Sequence, residues 1–250
     1  MIKLKNLSVG YGKKTILKNI NCEFSQGKIT VLIGANGCGK STLLRTIAGI
    51  QQPLEGDVLI NNQSISKLTE NNRAKNIAYL PQSRNIPNIS ALRMVLHGRF
   101  PYLGTPRHYT EEDLSIAKQA LKTVGMEDLG DCLINKLSGG QQQKVYIAML
   151  LAQQTNIILM DEPTTFLDIA CQLDIWELCK KMRSKGKTVI VVTHDILQAL
   201  KYSDCLTVFD KGTMVAKGSG KDLLQTNIIE NVFSVSITRF DNFNISIGKR

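Results

Sequence analysis

Apolar positions along the chain recur with two periods. Met1 to Asn6 alternates like a strand, and residues 2–9, 15–24 and 56–61 read as strands separated by turn residues. Together they predict an antiparallel β layer. Lys28-Ile29-Thr30-Val31-Leu32-Ile33 is a short β-rich stretch between glycines. Ile77-Ala78-Tyr79-Leu80 is a short apolar strand that ends at Pro81-Gln82. Ile157-Ile158-Leu159-Met160 is continuously apolar, as expected of a buried parallel strand, and it ends in Asp161-Glu162. Lys187 to Thr193 reads as another buried strand, with His194-Asp195 at its end. Residues 206–218 read as a hairpin around Lys211-Gly212.

The other period is helical. Leu43, Leu44, Ile47 and Ala48 fall on one helix face, and Gly49 is placed to stop it. Glu111 to Val124 carries Leu114, Ala117, Leu121 and Val124 at the same spacing, with Thr110 as a predicted N-cap. Val145 to Ala152 is apolar for long enough to be a buried helix, and a further helix runs from beyond Asp168 to about Arg183. Ile86 to Leu103 mixes prolines, apolar residues and His97-Gly98-Arg99. Residues 84–155 therefore read as a mostly helical insertion between two halves of an α/β core. From Lys221 onward the pattern offers a short helix and little else.

Chemistry concentrates where these elements join. Gly34-Ala35-Asn36-Gly37-Cys38-Gly39-Lys40-Ser41, followed by Thr42, fits G-x-x-x-x-G-K-[ST] and sits between a strand and a helix. Glycines let successive backbone N–H groups point inward as an anion nest, and the helix N-terminus adds partial positive charge. Lys40 can reach β- and γ-phosphates, and Ser41 can bind Mg²⁺. Leu137-Ser138-Gly139-Gly140-Gln141 also opens a helix and is a second potential anion site, or else a plain helix cap. Asp161 and Glu162 end a central strand, which suits a metal ligand followed by a general base, or else two acids capping the next element. His194 ends another, at the edge where open α/β sheets place their chemistry. Gln82 could coordinate Mg²⁺ or orient water, and alone would be a surface amide. Tyr11, in the turn Val9-Gly10-Tyr11-Gly12, could stack on an adenine ring with a gain of about 1–3 kcal/mol, although a turn tyrosine alone is usually packing.

Charge and composition narrow the field further. The net charge is +10, and residues 1–40 hold seven lysines against one acid, Glu23, so 7 − 1 = +6. A solvated lysine-rich face accounts for this better than a nucleic-acid groove, because no aromatic-interleaved basic patch or nucleic-acid motif is present. No apolar run approaches the roughly 18 residues that span a bilayer, and the first residues lack a signal-peptide core, so the expectation is a cytosolic protein that meets a membrane through a partner. The six cysteines, at 22, 38, 132, 171, 179 and 205, form no C-x-x-C pair. Most are expected to be small reduced core residues. Cys38 stands apart, since a thiolate would be favoured in the anion nest.

In their order, these residues resemble the ATP-binding subunit of an ABC transporter over about Ile2 to Gly218. The likeness rests on the aromatic Tyr11, Walker A from Gly34 to Ser41, the Q-loop Gln82, the LSGGQ signature from Leu137 to Gln141, Walker B from Ile157 to Asp161, the following Glu162, the D-loop Asp168 and the switch His194. Ala91 to Tyr102 and Asp161 to Ile169 are similar to the branch that serves uptake of iron-siderophore complexes, haem or cobalamin, and iron-siderophore ranks first. Ala35 departs from a common proline, and Gln142 from the Arg or Lys that often follows the signature. Neither departure removes a group the chemistry needs.

The resemblance implies an α/β fold with a P-loop NTPase core at 1–83 and 156–220, an antiparallel β layer, an inserted helical subdomain at 84–155 and a C-terminal extension at 221–250. It implies a head-to-tail dimer of two copies. Each ATP then lies between Asn36, Gly37, Cys38, Gly39, Lys40, Ser41 and Thr42 of one copy and Ser138, Gly139, Gly140 and Gln141 of the other. Tyr11 stacks on adenine, Ser41, Gln82 and Asp161 arrange Mg²⁺, Lys40 and His194 hold the γ-phosphate, Glu162 polarises water and Asp168 lies at the dimer contact. Integral-membrane permease subunits are the implied partners, with an extracytoplasmic substrate-binding protein beyond them, and the location is peripheral, on the cytoplasmic face of the membrane. A non-transport ATPase acting as an assembly scaffold is the alternative, and an exporter a third reading. The coiled-coil insertion of repair ATPases and the tandem domains of translation factors are absent from the sequence.

Overall fold

The computed structural model describes residues 1–239 and 245–249. The chain opens with β1 (Ile2–Tyr11), β2 (Lys14–Phe24), β3 (Ile29–Gly34), α1 (Lys40–Ile47), β4 (Glu55–Ile60) and β5 (Gln63–Ser64). α2 (Glu70–Asn76), β6 (Ile77–Leu80), α3 (Ala91–Leu96), α4 (Glu111–Thr123), α5 (Gly139–Ala152), β7 (Ile157–Asp161) and α6 (Ile169–Ser184) follow. β8 (Thr188–Val192), α7 (Ile196–Tyr202), β9 (Cys205–Asp210), β10 (Thr213–Gly218), α8 (Gly220–Leu224), α9 (Ile228–Phe233), β11 (Val235–Arg239) and β12 (Ile245–Lys249) complete it. The chain separates into two compact units, residues 1–67 with 190–250, and residues 68–189.

In the first unit β1 pairs antiparallel with both β2 and β4, in the order β2-β1-β4-β5. The alternation of Ile2 and Leu4 buries them, but Leu7, Ser8, Val9 and Gly10 are then buried in succession. Register shifts in this stretch explain the break, because each bulge re-aims the residues after it. β3 is buried at every residue and lies between β9, its parallel partner, and β8. Continuous apolarity here reflects burial on both faces. Lys28, expected within this strand, precedes it, and Ile29 N–H donates to the Asp204 carboxylate at 2.8 Å. β9 and β10 form the expected hairpin, with Lys211 and Gly212 both at positive φ in its turn. The tail holds α8 and α9 and then a further antiparallel pair, β11 with β12, for which the sequence pattern offers no signal.

In the second unit β6 and β7 run parallel, with Leu80 beside Met160, so both strands release their chain at the same end. α3, α4 and α5 pack on one another, and Ala91, Val95, Ala117, Leu121, Val145 and Ala148 on these helices are buried. Thr110 caps α4 in a reciprocal box with Asp113. Asp113 also accepts from Arg99 Nε at 2.8 Å, with both side chains less than a tenth exposed. Arg99 donates onward to Ala152 O at 3.0 Å and Gln154 Oε1 at 2.9 Å, which ties the turn at 97–102 to α4 and to the end of α5. α2 was not anticipated: none of its residues is buried, so it leaves no apolar period to read. Among the described residues no helix is long and apolar enough to cross a membrane.

Candidate nucleotide site

The phosphate loop occupies the turn from β3 into α1. Gly39 precedes α1 at φ 101°, and a Cβ there would lie 2.7 Å from Ile16 Cγ2 and 2.9 Å from Leu17 Cγ. Only glycine meets both demands without strain. A Cβ on Gly34 would fall 2.3 Å from Phe209 O on β9, so the loop leaves the sheet pressed against a neighbouring strand. Lys40 is buried, and its Nζ donates to Gly34 O at 2.8 Å and Ala35 O at 3.0 Å. The loop's own carbonyls therefore hold the ammonium over the nest. Ser41, Thr42 and the backbone N–H groups of Asn36, Gly37, Cys38 and Gly39 belong to the same turn and the first turn of α1. Tyr11, about half exposed at the end of β1, receives a hydrogen bond from Thr42 Oγ1 at 3.4 Å, which brings the expected adenine platform to the phosphate loop. Cys38, expected to differ from the buried cysteines, is itself buried, with Lys40 Nζ 3.7 Å from its sulfur.

β8 lies beside β3, and Thr193 N–H donates to Leu32 O at 3.4 Å. His194 follows at once, exposed, and Asp195 caps α7. His194 and the phosphate loop thus follow neighbouring strands, β8 and β3.

In the other unit the parallel pairing of β6 and β7 places Gln82 beside Glu162. Gln82 Nε2 donates to Glu162 Oε2 at 2.6 Å, and Thr165 Oγ1 donates to the same oxygen at 3.1 Å. Glu162 sits at φ 50° and Phe166 at φ 64°, in the left-handed region that non-glycine residues seldom occupy. Asp161 is buried at the end of β7. The hydroxyl, amide and carboxylate of Ser41, Gln82 and Asp161 are all hard oxygen donors. With only one charge among them, they suit Mg²⁺, which keeps waters and substrate phosphates in its shell.

Ser138 caps α5: its Oγ accepts from Gln141 N–H at 3.3 Å, and Gln141 Oε1 accepts from Ser138 N–H at 3.0 Å. Gln141 is thus used for capping, while Gly139 faces open space. A Cβ on Gly140 would lie 2.5 Å from Cys171 Sγ on α6. Asp168 caps α6 by accepting Cys171 N–H at 2.8 Å, and that bond is the first cause holding its carboxyl below the usual carboxylate range. The signature turn and the Asp168 turn therefore meet through Cys171.

Sequence reasoning missed Thr165, Cys171, Arg84 and Gln143. The signal for Gln143 was a third consecutive glutamine beginning an apolar helix, a polar residue facing inward. Arg84 left no signal beyond its place two residues after Gln82.

A glycine loop between strand and helix, a buried carboxylate ending a parallel strand and a glutamate beside it define a P-loop nucleoside triphosphatase. Residues 17–165 match the family model described as ABC transporter. The chain is 39% identical over 236 residues to the achromobactin transport ATP-binding protein of Dickeya dadantii, covering 94% of this chain and 88% of that one. It is 38% identical to the iron(3+)-hydroxamate import ATP-binding protein of Bacillus subtilis, with 94% and 88% covered. It is 37% identical to the ferric enterobactin transport ATP-binding protein of Escherichia coli, with 95% and 89% covered. Among solved structures, the dimeric bacterial ABC transporter cassette MJ0796 superposes with a TM-score of 0.77 at 35% identity, over 88% of this chain and 98% of that one. A post-hydrolysis state of the same cassette with ADP and phosphate gives 0.77 at 34%. The chain belongs to the ABC transporter family, and it is an ATP-hydrolysing member.

Proposed function

We infer that this chain powers import of iron-siderophore complexes as one of two identical ATPase subunits on the cytoplasmic face of a membrane permease. The contact between Gln82 and Glu162 at the ends of paired strands carries the hydrolytic reading. Relatives named for siderophore and iron import, matched over more than nine-tenths of this chain, support the cargo. A scaffold ATPase has no comparable support.

The residues divide the work. The nest at 34–42 binds the phosphates of ATP, Lys40 neutralises the β- and γ-oxygens, and Tyr11 stacks on the adenine. Mg²⁺, held by Ser41, Gln82 and Asp161, would supply neutralisation of phosphate charge. Glu162 accepts a proton from the attacking water while Gln82 and Thr165 fix its carboxylate. His194 orients the γ-phosphate. Ser138, Gly139, Gly140 and Gln141 of a second copy close over that phosphate, and Asp168 lies at the seam. ATP favours the closed pair because its phosphates touch both copies only there. The groove formed by residues near Gln82 to Leu103 carries this motion to the permease.

Glu162→Gln tests the chemistry. It should retain ATP binding and lose about 10²–10⁴-fold in phosphate release. Cells relying on this variant should stop taking up ferric siderophore. Undiminished hydrolysis would refute the base, and undiminished uptake by cells whose variant is inactive would refute the cargo.

A further inference from the structure

Three backbone segments converge on one buried amide. Gln143 lies on α5 just past the signature glycines and is 5% exposed. Its Nε2 donates to Pro163 O at 2.6 Å, and its Oε1 accepts from Arg84 Nη2. A carbonyl can only accept and a guanidinium can only donate, so one orientation of the amide satisfies both neighbours and the flipped one satisfies neither. Arg84 stacks on the Tyr146 ring, 4.2 Å from its centre, and Tyr146 in turn donates its hydroxyl to Asn85 O at 3.1 Å. Burial lowers the Arg84 pKa from the ordinary arginine value, with Tyr146 opposing. Arg84 Nη1 is nevertheless buried with no hydrogen-bond partner among the described residues. A half-buried cation with one donor buried and unmatched is costly, and such departures from local economy concentrate where a site needs them.

What lies at the far end of this chain of contacts is the residue after Glu162. Pro163 has no N–H, so its carbonyl is its only backbone polar group. The backbone at Glu162 is left-handed and stays so only where its surroundings hold it. Gln82 holds the Glu162 carboxylate, and Gln143 holds the next carbonyl.

We propose that Arg84 and Gln143 are positioning residues for hydrolysis, forming a two-link tether from the Gln82 segment through α5 to the Pro163 carbonyl that fixes the backbone presenting Glu162. The proposal rests on the reading of Glu162 as the base. A shift of residues 82–85 reaches Glu162 by two routes, the Gln82 amide and this tether. Movement of α5 reaches it by the second.

Steady-state hydrolysis by the full chain, with E162Q alongside, tests this. Q143L, close to Gln in size, and R84M should each lower kcat about tenfold or more while leaving KM for ATP within about twofold, because a misplaced reacting group costs turnover rather than binding. R84K, which keeps the charge, should recover part of the rate. Q143E sets a carboxylate oxygen against the Pro163 carbonyl and should fall with Q143L. Amide exchange should quicken across 164–167 in Q143L and not in β3 or β9, a localisation that a merely stabilising role would not produce. Should Q143L fold poorly, R84M and R84K carry the same comparison. Unchanged kcat in folded Q143L or R84M overturns the tether, as does a fall in kcat accompanied by uniform loss of protection. Turnover retained by E162Q overturns the reading of Glu162 instead, so the two failures differ in which variant stays active.

Discussion

At Gly140 a hydrogen atom decides how closely two functional turns approach. A methyl group there would meet Cys171 Sγ at 2.5 Å. Two effects of Gly140→Ala oppose each other. Overpacking costs about 1–3 kcal/mol. Replacing glycine near a helix start regains at most about 1 kcal/mol. Overpacking wins, so G140A should melt below the parent. G140A/C171A removes the sulfur and leaves only a Cβ contact at 3.4 Å, so it should melt at or above the C171A single variant. Thermal melts of the four proteins check this, and an additive cycle would show that the contact is not felt. Glu162 also shows what a sequence hides. Its identity was legible as an acid after an apolar strand, but its left-handed backbone and its partners Gln82 and Thr165 were not. Those depend on which strands pair, which no local window contains.

Among the elements, α4 shows a local signal and a distant one acting on one residue. The cap at Thr110 was readable from the sequence, because capping is a matter of three adjacent positions. The Arg99 that completes the environment of Asp113 was not, since it reaches α4 from another turn. Burial pushes the Asp113 carboxyl up, but the hydrogen bonds from Arg99 and Thr110 together outweigh it and hold the pKa below the ordinary carboxylate value. A depressed folded pKa stabilises above the unfolded value, near 3.9, and that contribution is lost as pH falls through the lower folded value. Asp113→Asn leaves Arg99 buried without a counter-charge and should cost on the order of 3 kcal/mol at neutral pH. Its melting temperature should then vary less than the parent's below about pH 4. Equal acid slopes in parent and variant would show that the pair does not titrate with folding. The strands β3, β7 and β8 were legible because burial on both faces leaves an unbroken apolar run, whereas α2 buries nothing and the β11–β12 pair lies in a tail with little pattern. The tether escaped for a further reason: Arg84 and Gln143 are 59 positions apart, and neither belongs to the motif string.

For the molecule as a whole, the residues expected at the nucleotide divide into a phosphate-binding set and a signature set that the family's architecture assigns to opposite copies. On the proposed cycle, ATP joins two copies and its hydrolysis parts them. Light scattering on purified Glu162→Gln, with and without ATP and Mg²⁺, tests it most directly. The variant should be a monomer that becomes a dimer when ATP is added and reverts when ATP is removed. A mass that stays monomeric at saturating ATP, while bound nucleotide is detected on the same protein, would contradict it.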